Sequence, residues 1–204
     1  MKRIVFTPIL LLSVMIGVSS SAIAIESFGP QKKKSAGVEE QSSQAQRDAR
    51  NVAYLVKEVR KELVTIPFFG VFDWLEGYVE SDGTVRLKGE VTRPIIKSDA
   101  ENRVEKIEGV TKVINEIEVL PLSNQDDRLR LAVYRTLYNF NSPLFRYGQQ
   151  PIPSIHIIIN NGRLTLKGVV NSKADSDIAR VKAGGVPGLF EVKNELQIES
   201  SKKK

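Results

Sequence analysis

The sequence from Gly162 to Val170 reads GRLTLKGVV, and from Gly83 to Val91 the chain has already read GTVRLKGEV. Held at a constant offset of 79, the two stretches align without a gap. Gly83, Leu87, Lys88, Gly89 and Val91 fall on Gly162, Leu166, Lys167, Gly168 and Val170. Further on, Ala100 meets Ala179, Gly109 meets Gly188, Val113 meets Val192, and Asn115-Glu116 meets Asn194-Glu195. One offset kept over about 37 positions marks a duplicated unit.

Each unit has a physical reading. Asp82-Gly83 and Asn161-Gly162 are strong hairpin signals. Before the second turn Ile155, Ile157 and Ile159 share one face of a strand, and after it Leu164 and Leu166 alternate. Polar stretches at about 97–107 and 173–183 predict helices, stopped by Gly109 and by Gly184, Gly185 and Gly188. VTKVINEIEVL and LFEVKNELQI then alternate as a third strand. A leading helix opens each unit. Val52, Leu55, Val56, Val59 and Leu63 form its apolar stripe in the first, and Leu129, Val133, Leu137 and Phe140 in the second. The order is helix-strand-strand-helix-strand, twice. Gly83, Gly89, Gly109, Gly162, Gly168 and Gly188 are read as structural glycines. Gly162 is expected at positive φ, and Gly89 and Gly168 are expected to let a helix approach the sheet. Lys88 and Lys167 are expected to face solvent.

The hairpin pattern G-x-[VL]-x-L-x-G-x-V and the third-strand pattern G-[VL]-x-x-V-x-N-x-[IL]-x-[VI] together resemble the BON domain, over about residues 45–199. The resemblance implies an α+β fold of two tandem BON repeats, each with a three-stranded sheet and both helices on one face. It further implies no enzymatic activity, no cofactor, and interaction with phospholipid or with partners of the bacterial envelope. Both units carry an aromatic, proline-bearing loop after the leading helix, IPFFGVFDW at 66–74 and SPLFRYGQQPIP at 142–153, longer than the simplest BON pattern. About half of Phe68, Phe69, Phe72 and Trp74 are expected to enter the first core.

The ends of the chain read differently. Lys2 and Arg3 precede the apolar run Ile4–Val18, and Ala22 and Ala24 sit at small-residue cleavage positions, so residues 1–24 are read as a secretory signal peptide and Ile25 as the mature start, with an uncleaved anchor left open as the alternative. The expected location is the periplasm. Cleavage would lower the formal net charge of +6 to +4. Residues 25–44 lack a hydrophobic period and are expected to be a flexible linker, followed by repeat one at 45–121 and repeat two at 122–199. The tail at 200–204 is read as disordered and basic. The short connection PLSNQDD at 121–127 favours a fixed or semi-fixed pair of repeats over beads on a string.

Catalytic signals are sparse. There is no cysteine and one histidine, His156, which leaves no thiolate and no usual zinc set. No G-x-S-x-G elbow, Walker A loop or dinucleotide fingerprint is present. GVPG at 185–188 sits between a helix and a strand rather than in the helix–helix loop of a KH module, which argues against nucleic acid. No small-molecule substrate is evident. His156, alternating with three isoleucines, is expected to point away from its own core.

Where the units differ, function is to be sought. On the second leading helix Leu131, Tyr134 and Tyr138 form an outer stripe flanked by Arg128, Arg130 and Arg135, and the next loop adds Phe145, Arg146 and Tyr147. Tyrosines edged by arginines suit a membrane interface and anionic phospholipid. Two other uses of the same stripe stay open: docking of one repeat on the other, and docking of another envelope protein. The equivalent face of the first helix, with Tyr54, Lys57, Glu58 and Lys61, reads as an ordinary solvated surface.

Overall fold

The structure is a computed structural model that describes residues 2–5 and 36–199, with side chains from residue 46 onward. Most of residues 1–24, residues 25–35 and the tail at 200–204 lie outside the described residues.

Strand β1 is Lys2–Val5 and helix α1 is Ala36–Val64. The first repeat continues with β2 (Trp74–Val79), β3 (Thr84–Val91), α2 (Pro94–Val104) and β4 (Lys112–Val119). The second consists of α3 (Asn124–Leu137), a single 3-10 turn at Phe145–Gly148, β5 (Ile155–Asn160), β6 (Arg163–Val170), α4 (Lys173–Gly184) and β7 (Glu191–Ile198). Helix-strand-strand-helix-strand is therefore observed twice. The sheets are ordered β1-β2-β3-β4 and β5-β6-β7. In each repeat the hairpin is antiparallel, while the third strand returns parallel to the second through the helix.

The duplication holds at the level of register. Leu87 opposes Asn115 as Leu166 opposes Asn194. Asn115 donates from Nδ2 to Lys97 O at 3.1 Å and accepts from Ile117 N–H. Asn194 donates to Ser176 O at 3.1 Å and accepts from Leu196 N–H. One asparagine per repeat thus ties the third strand to the crossover helix.

Each repeat has its own core, filled from one face of the sheet. Leu55, Val59 and Leu63 of α1 and Ile96, Ala100 and Val104 of α2 close over Val85, Leu87 and Val91. Leu129, Val133 and Leu137 of α3 and Ala179 and Ala183 of α4 close over Ile155, Ile157, Ile159, Leu164 and Leu166. Both helices therefore lie on one face. Phe69 and Trp74 enter the first core as half of the loop aromatics, while Phe68 is exposed. Phe72 crosses to pack against the second core.

Several expectations need correction. Helix α1 begins at Ala36, inside the stretch expected to be a linker. AGVEEQSSQAQRDAR lacks an apolar period but is rich in Ala, Glu, Gln and Arg, which favour helix without needing a core. Helix α2 starts at Pro94, earlier than expected, because proline at the first turn has its φ preset and no N–H to satisfy. Phe140 is exposed rather than in the core, because α3 ends at Leu137 and the helical period stops there. Apart from these corrections, Lys2–Val5 pairs with β2 as an edge strand, while the segment expected to be a signal peptide lies mostly outside the described residues.

The glycine expectation is half right. Gly162 has φ 74 and follows Asn161 at φ 50, the pair of positive φ values a two-residue type I′ hairpin turn requires. Gly89 and Gly168 do not make room for a helix. A Cβ there would lie 1.9 Å from Trp74 O and 2.0 Å from Ser154 O, so each glycine lets the neighbouring strand's backbone come close.

Candidate functional site

The expected outer stripe of α3 is built into a seam. Ser123 caps α3 by accepting from Asp126 N–H at 3.1 Å. Asp126, Arg130, Tyr134 and Tyr138 then follow at intervals of four, one row along the helix. Four helical residues rise about 6 Å and two strand residues about 6.6 Å, so such a row can follow a strand step by step. It does so along the free edge of β5. The Asp126 carboxylate accepts from Asn161 N–H at 2.9 Å and Gly162 N–H at 2.8 Å. Arg130 donates to Ile159 O at 2.7 Å, and Tyr138 donates to Ile155 O at 2.6 Å. Burial pushes the Tyr138 hydroxyl up, so it stays a donor.

The middle slot of that edge is taken by the first repeat. Ile157 N–H donates to Val71 O at 2.8 Å. Tyr134 stands over this point, with ring centroids 5.1 Å from Tyr138 and 6.2 Å from Phe72 of the first repeat. The opposite face of β5 is covered too. Ile158 joins the first core, and His156 donates from Nδ1 to Asp73 O at 2.7 Å. The His156 ring lies 5.1 Å from Trp74 and 5.8 Å from Phe69. It does point away from its own core, as expected, but into the first repeat.

Asp73 holds this seam from the other side. Its carboxylate accepts from Thr92 N–H at 2.7 Å and from Gly70 N–H at 3.0 Å. Lys167, expected to face solvent, is instead largely covered and donates to Glu90 of the first repeat at 2.9 Å. Its counterpart Lys88 remains half exposed and pairs with Glu116.

The expected lipid-facing residues are thus divided. Arg130, Tyr138 and Tyr147 are buried, and Tyr134 is partly covered by Phe72. The continuous exposed stripe does not exist, because α3 lies beside the β5 edge and its hydrogen-bonding row is consumed there. Tyr147 and Arg146 reach Asp175 at 3.0 and 2.7 Å, clamping the 3-10 turn to the start of α4. Burial works to raise the Asp175 carboxyl, yet bonds from Ser172, Tyr147 and Arg146 hold it below the usual range. Arg128, Leu131, Arg135 and Arg146 stay at the surface. Phe145, half-buried, meets exposed Phe140 edge-to-face at 5.4 Å.

Sequence reading missed Asp126, Asp73 and Phe140. The signal for the first was present as the polar i, i+4 row; Phe140 was hidden by extending the helical period past its end.

Asp126→Ala should lower stability by about 2–3 kcal/mol, since two turn N–H groups lose a charged acceptor. Thermal melts should fall by roughly 5–10 °C. An unchanged melt would mean that water serves the turn equally well.

Among the described residues no cluster of three or more His, Cys, Asp or Glu side chains could hold a metal ion. No described helix is long and apolar enough to cross a membrane.

Comparison with known proteins found solved structures of low similarity and one family. The C-terminal domain of CdsD, the structural protein of the type III secretion system of Chlamydia trachomatis, is 16% identical, covers 72% of this chain and 98% of its own, and gives a TM-score of 0.27. A second structure of CdsD is 17% identical over 72% of this chain and 93% of its own, again at 0.27. No curated protein matches the sequence. The family model of the BON domain matches residues 77–121 and 143–200, which are the hairpin, crossover helix and third strand of each repeat. With both units matched and half of the chain covered, the chain belongs to the BON-domain family, as a tandem pair of repeats.

Proposed function

We propose that the protein is a non-enzymatic module of the bacterial envelope that binds anionic phospholipid peripherally through its second repeat. BON domains act as binding modules rather than catalysts, and the one histidine of this chain is spent inside the repeat seam. The observation that carries the lipid reading is the aromatic pair Phe140 and Phe145 after α3. Phe140 is 83% exposed and unsupported by either core. A ring held outward on a short loop suits the headgroup region of a bilayer. Arg135, in the last exposed turn of α3, supplies positive charge next to it, whereas Arg146, beside Phe145, is already paired with Asp175. A free cation adds about 1 kcal/mol toward an anionic surface.

The proposed contact is therefore the loop at 138–146 and not the helix stripe. The net charge favours it, at +4 once Lys2 and Arg3 are removed with residues 1–24 from the whole chain's +6. Export supports the location: residues 1–24 read as a signal, with cleavage after Ala24 and a periplasmic mature protein.

Cosedimentation with vesicles containing phosphatidylglycerol tests the reading. Phe140→Ala with Phe145→Ala should abolish binding while circular dichroism stays native. Arg135→Glu should weaken binding, most strongly at low salt. If wild-type protein does not sediment with the vesicles, the lipid reading fails and a purely structural or protein-docking role in the envelope replaces it. Mass spectrometry of envelope protein checks the start at Ile25.

A further inference from the structure

The two repeats differ at one strand edge. In β5 the outward backbone groups are Ile155 O, Ile157 N–H and Ile159 O, and they are met by Tyr138, Val71 and Arg130. The matching strand of the first repeat is β2. Its outward groups follow from the hairpin: Glu80 N–H donates inward to Thr84 O, so Leu75, Gly77 and Val79 present theirs outward.

Among the described residues the leading helix builds no equivalent seal for that edge. The core triplets Leu55, Val59, Leu63 and Leu129, Val133, Leu137 align the two leading helices. By that alignment Val56 stands where Arg130 stands, Val64 where Tyr138 stands and Arg60 where Tyr134 stands. The valines have nothing to donate to Leu75 O and Val79 O. Arginine is a donor only and cannot accept from Gly77 N–H. An edge strand with its polar row open is a template for another strand.

The structure seats one there. Lys2–Val5 runs antiparallel along β2, with Ile4 opposite Gly77, Lys2 opposite Val79 and Val5 opposite Glu76. Its sequence KRIV is basic then apolar. The acceptor strand carries Glu76, which is buried and accepts from Trp74 and Tyr78, and is followed by Glu80, which pairs with Arg86. In register Arg3 stands opposite Tyr78, between Glu76 and Glu80 along the acceptor strand.

We propose that the outer edge of β2 is a strand-acceptor site for an extended segment that combines basic and apolar residues. In the full chain residues 2–5 occupy it. Removal of residues 1–24, which rests on the export reading above, bares the edge for such a segment of a partner protein. Maturation then switches the site on. The lipid contact lies on the other repeat, so neither proposal depends on the other.

The test is fluorescence anisotropy with the labelled peptide KRIVFT, the sequence of residues 2–7. Three full-length proteins are compared without lipid: wild type, Arg3→Glu/Ile4→Pro, and that double variant with Gly77→Pro. The double variant reverses the charge at residue 3 and removes the N–H of residue 4, which stands opposite Gly77. It should bind the peptide at least about tenfold more tightly than wild type. Adding Gly77→Pro should return affinity by at least about tenfold, because the edge donor is gone. The peptide EEIVFT should bind the double variant at least about tenfold more weakly. Equal binding by wild type and double variant, or equal binding of both peptides, overturns the proposal. So does Gly77-dependent dimerisation of the double variant in sedimentation, which would make a second copy the occupant. Should Gly77→Pro not fold, exchange of the Gly77 amide decides: it should be slow in wild type, fast in the double variant and slow again with KRIVFT. Slow exchange in the double variant alone refutes the site.

Discussion

Gly89→Ala is expected to unfold the first repeat. Gly89 has φ +140, and a Cβ built on it would stand 1.9 Å from Trp74 O and 2.8 Å from Trp74 C. Both are backbone atoms, so no rotamer can relieve the contact. The hairpin must open at the Leu75–Gly89 pair, which lies against the buried Trp74 and Leu75 of the first core. The left-handed backbone alone costs about 1–3 kcal/mol for a residue with a side chain. The overlap adds to that, so a loss above about 4 kcal/mol is expected, the range reserved for a few severe mechanisms. The melting temperature should fall by more than about 10 °C. Gly168→Ala should do the same to the second repeat, since its Cβ would meet Ser154 O at 2.0 Å. Gly184→Ala is the control: nothing lies within 4 Å, so that change should be neutral or slightly stabilising. If Gly89→Ala melts within about 3 °C of wild type, the strands do not approach at that point as described.

Why those glycines were legible and yet misread is instructive. A residue repeated at offset 79 in two hairpins had to serve the fold, and all six glycines singled out from the sequence have positive φ. Periodicity could place them in strands but could not tell which neighbour came close, because the choice between helix and adjacent strand is tertiary. The hairpins, crossover helices and parallel third strands were readable for the reason that makes them stable. Period-two and period-3.6 burial leaves its mark in residue type. The start of α1 was not, since Ala36–Gln44 needs no buried face to be helical.

The site was less legible than the fold. Tyr134 and Tyr138 sit opposite the apolar stripe on a helical wheel, which reads as solvent. A wheel assumes that a helix meets the protein on one side only. Helix α3 meets it on two, the sheet face through Leu129, Val133 and Leu137 and the β5 edge through Asp126, Arg130 and Tyr138. A helix that serves a strand edge needs hydrogen-bonding side chains there, so its second face is polar or aromatic and resembles an exposed one. Helix α1 lacks that row, and its strand edge takes β1 instead. The divergence between repeats therefore records which edge is sealed within the chain and which is left for another strand.

Stability should fall as pH drops from about 6.5 to about 4, and His156 should be the cause. The ring is enclosed between Phe69 and Trp74, and its Nδ1–H donates to Asp73 O. Burial pushes its pKa down to about 4, against a smaller opposing pull from the carbonyls of Asp73 and Gly70. The charged groups nearest it are already engaged. Lys167 is its cross-strand partner on β6 and is itself held by Glu90, while Glu76 on β2 accepts from Trp74 and Tyr78. An unfolded histidine titrates near 6.5, so on acidification the unfolded chain takes up the proton first. The contribution is complete above that value and is lost progressively down to the folded pKa. At about 1.4 kcal/mol per unit, the loss reaches about 3 kcal/mol. Glu116 and Asp175, whose pKa values are depressed, act in a lower window that begins only near their ordinary values of 4.5 and 3.8. Urea melts at pH 7 and pH 4.5 on wild type and His156→Leu separate the two effects. The wild type should lose about 2–3 kcal/mol between them, while His156→Leu, whatever its absolute stability, should lose little. Equal losses in both proteins would show that the histidine is not enclosed by the first repeat, and with it that the two BON repeats do not share the seam on which α3, β5 and the 66–74 loop converge.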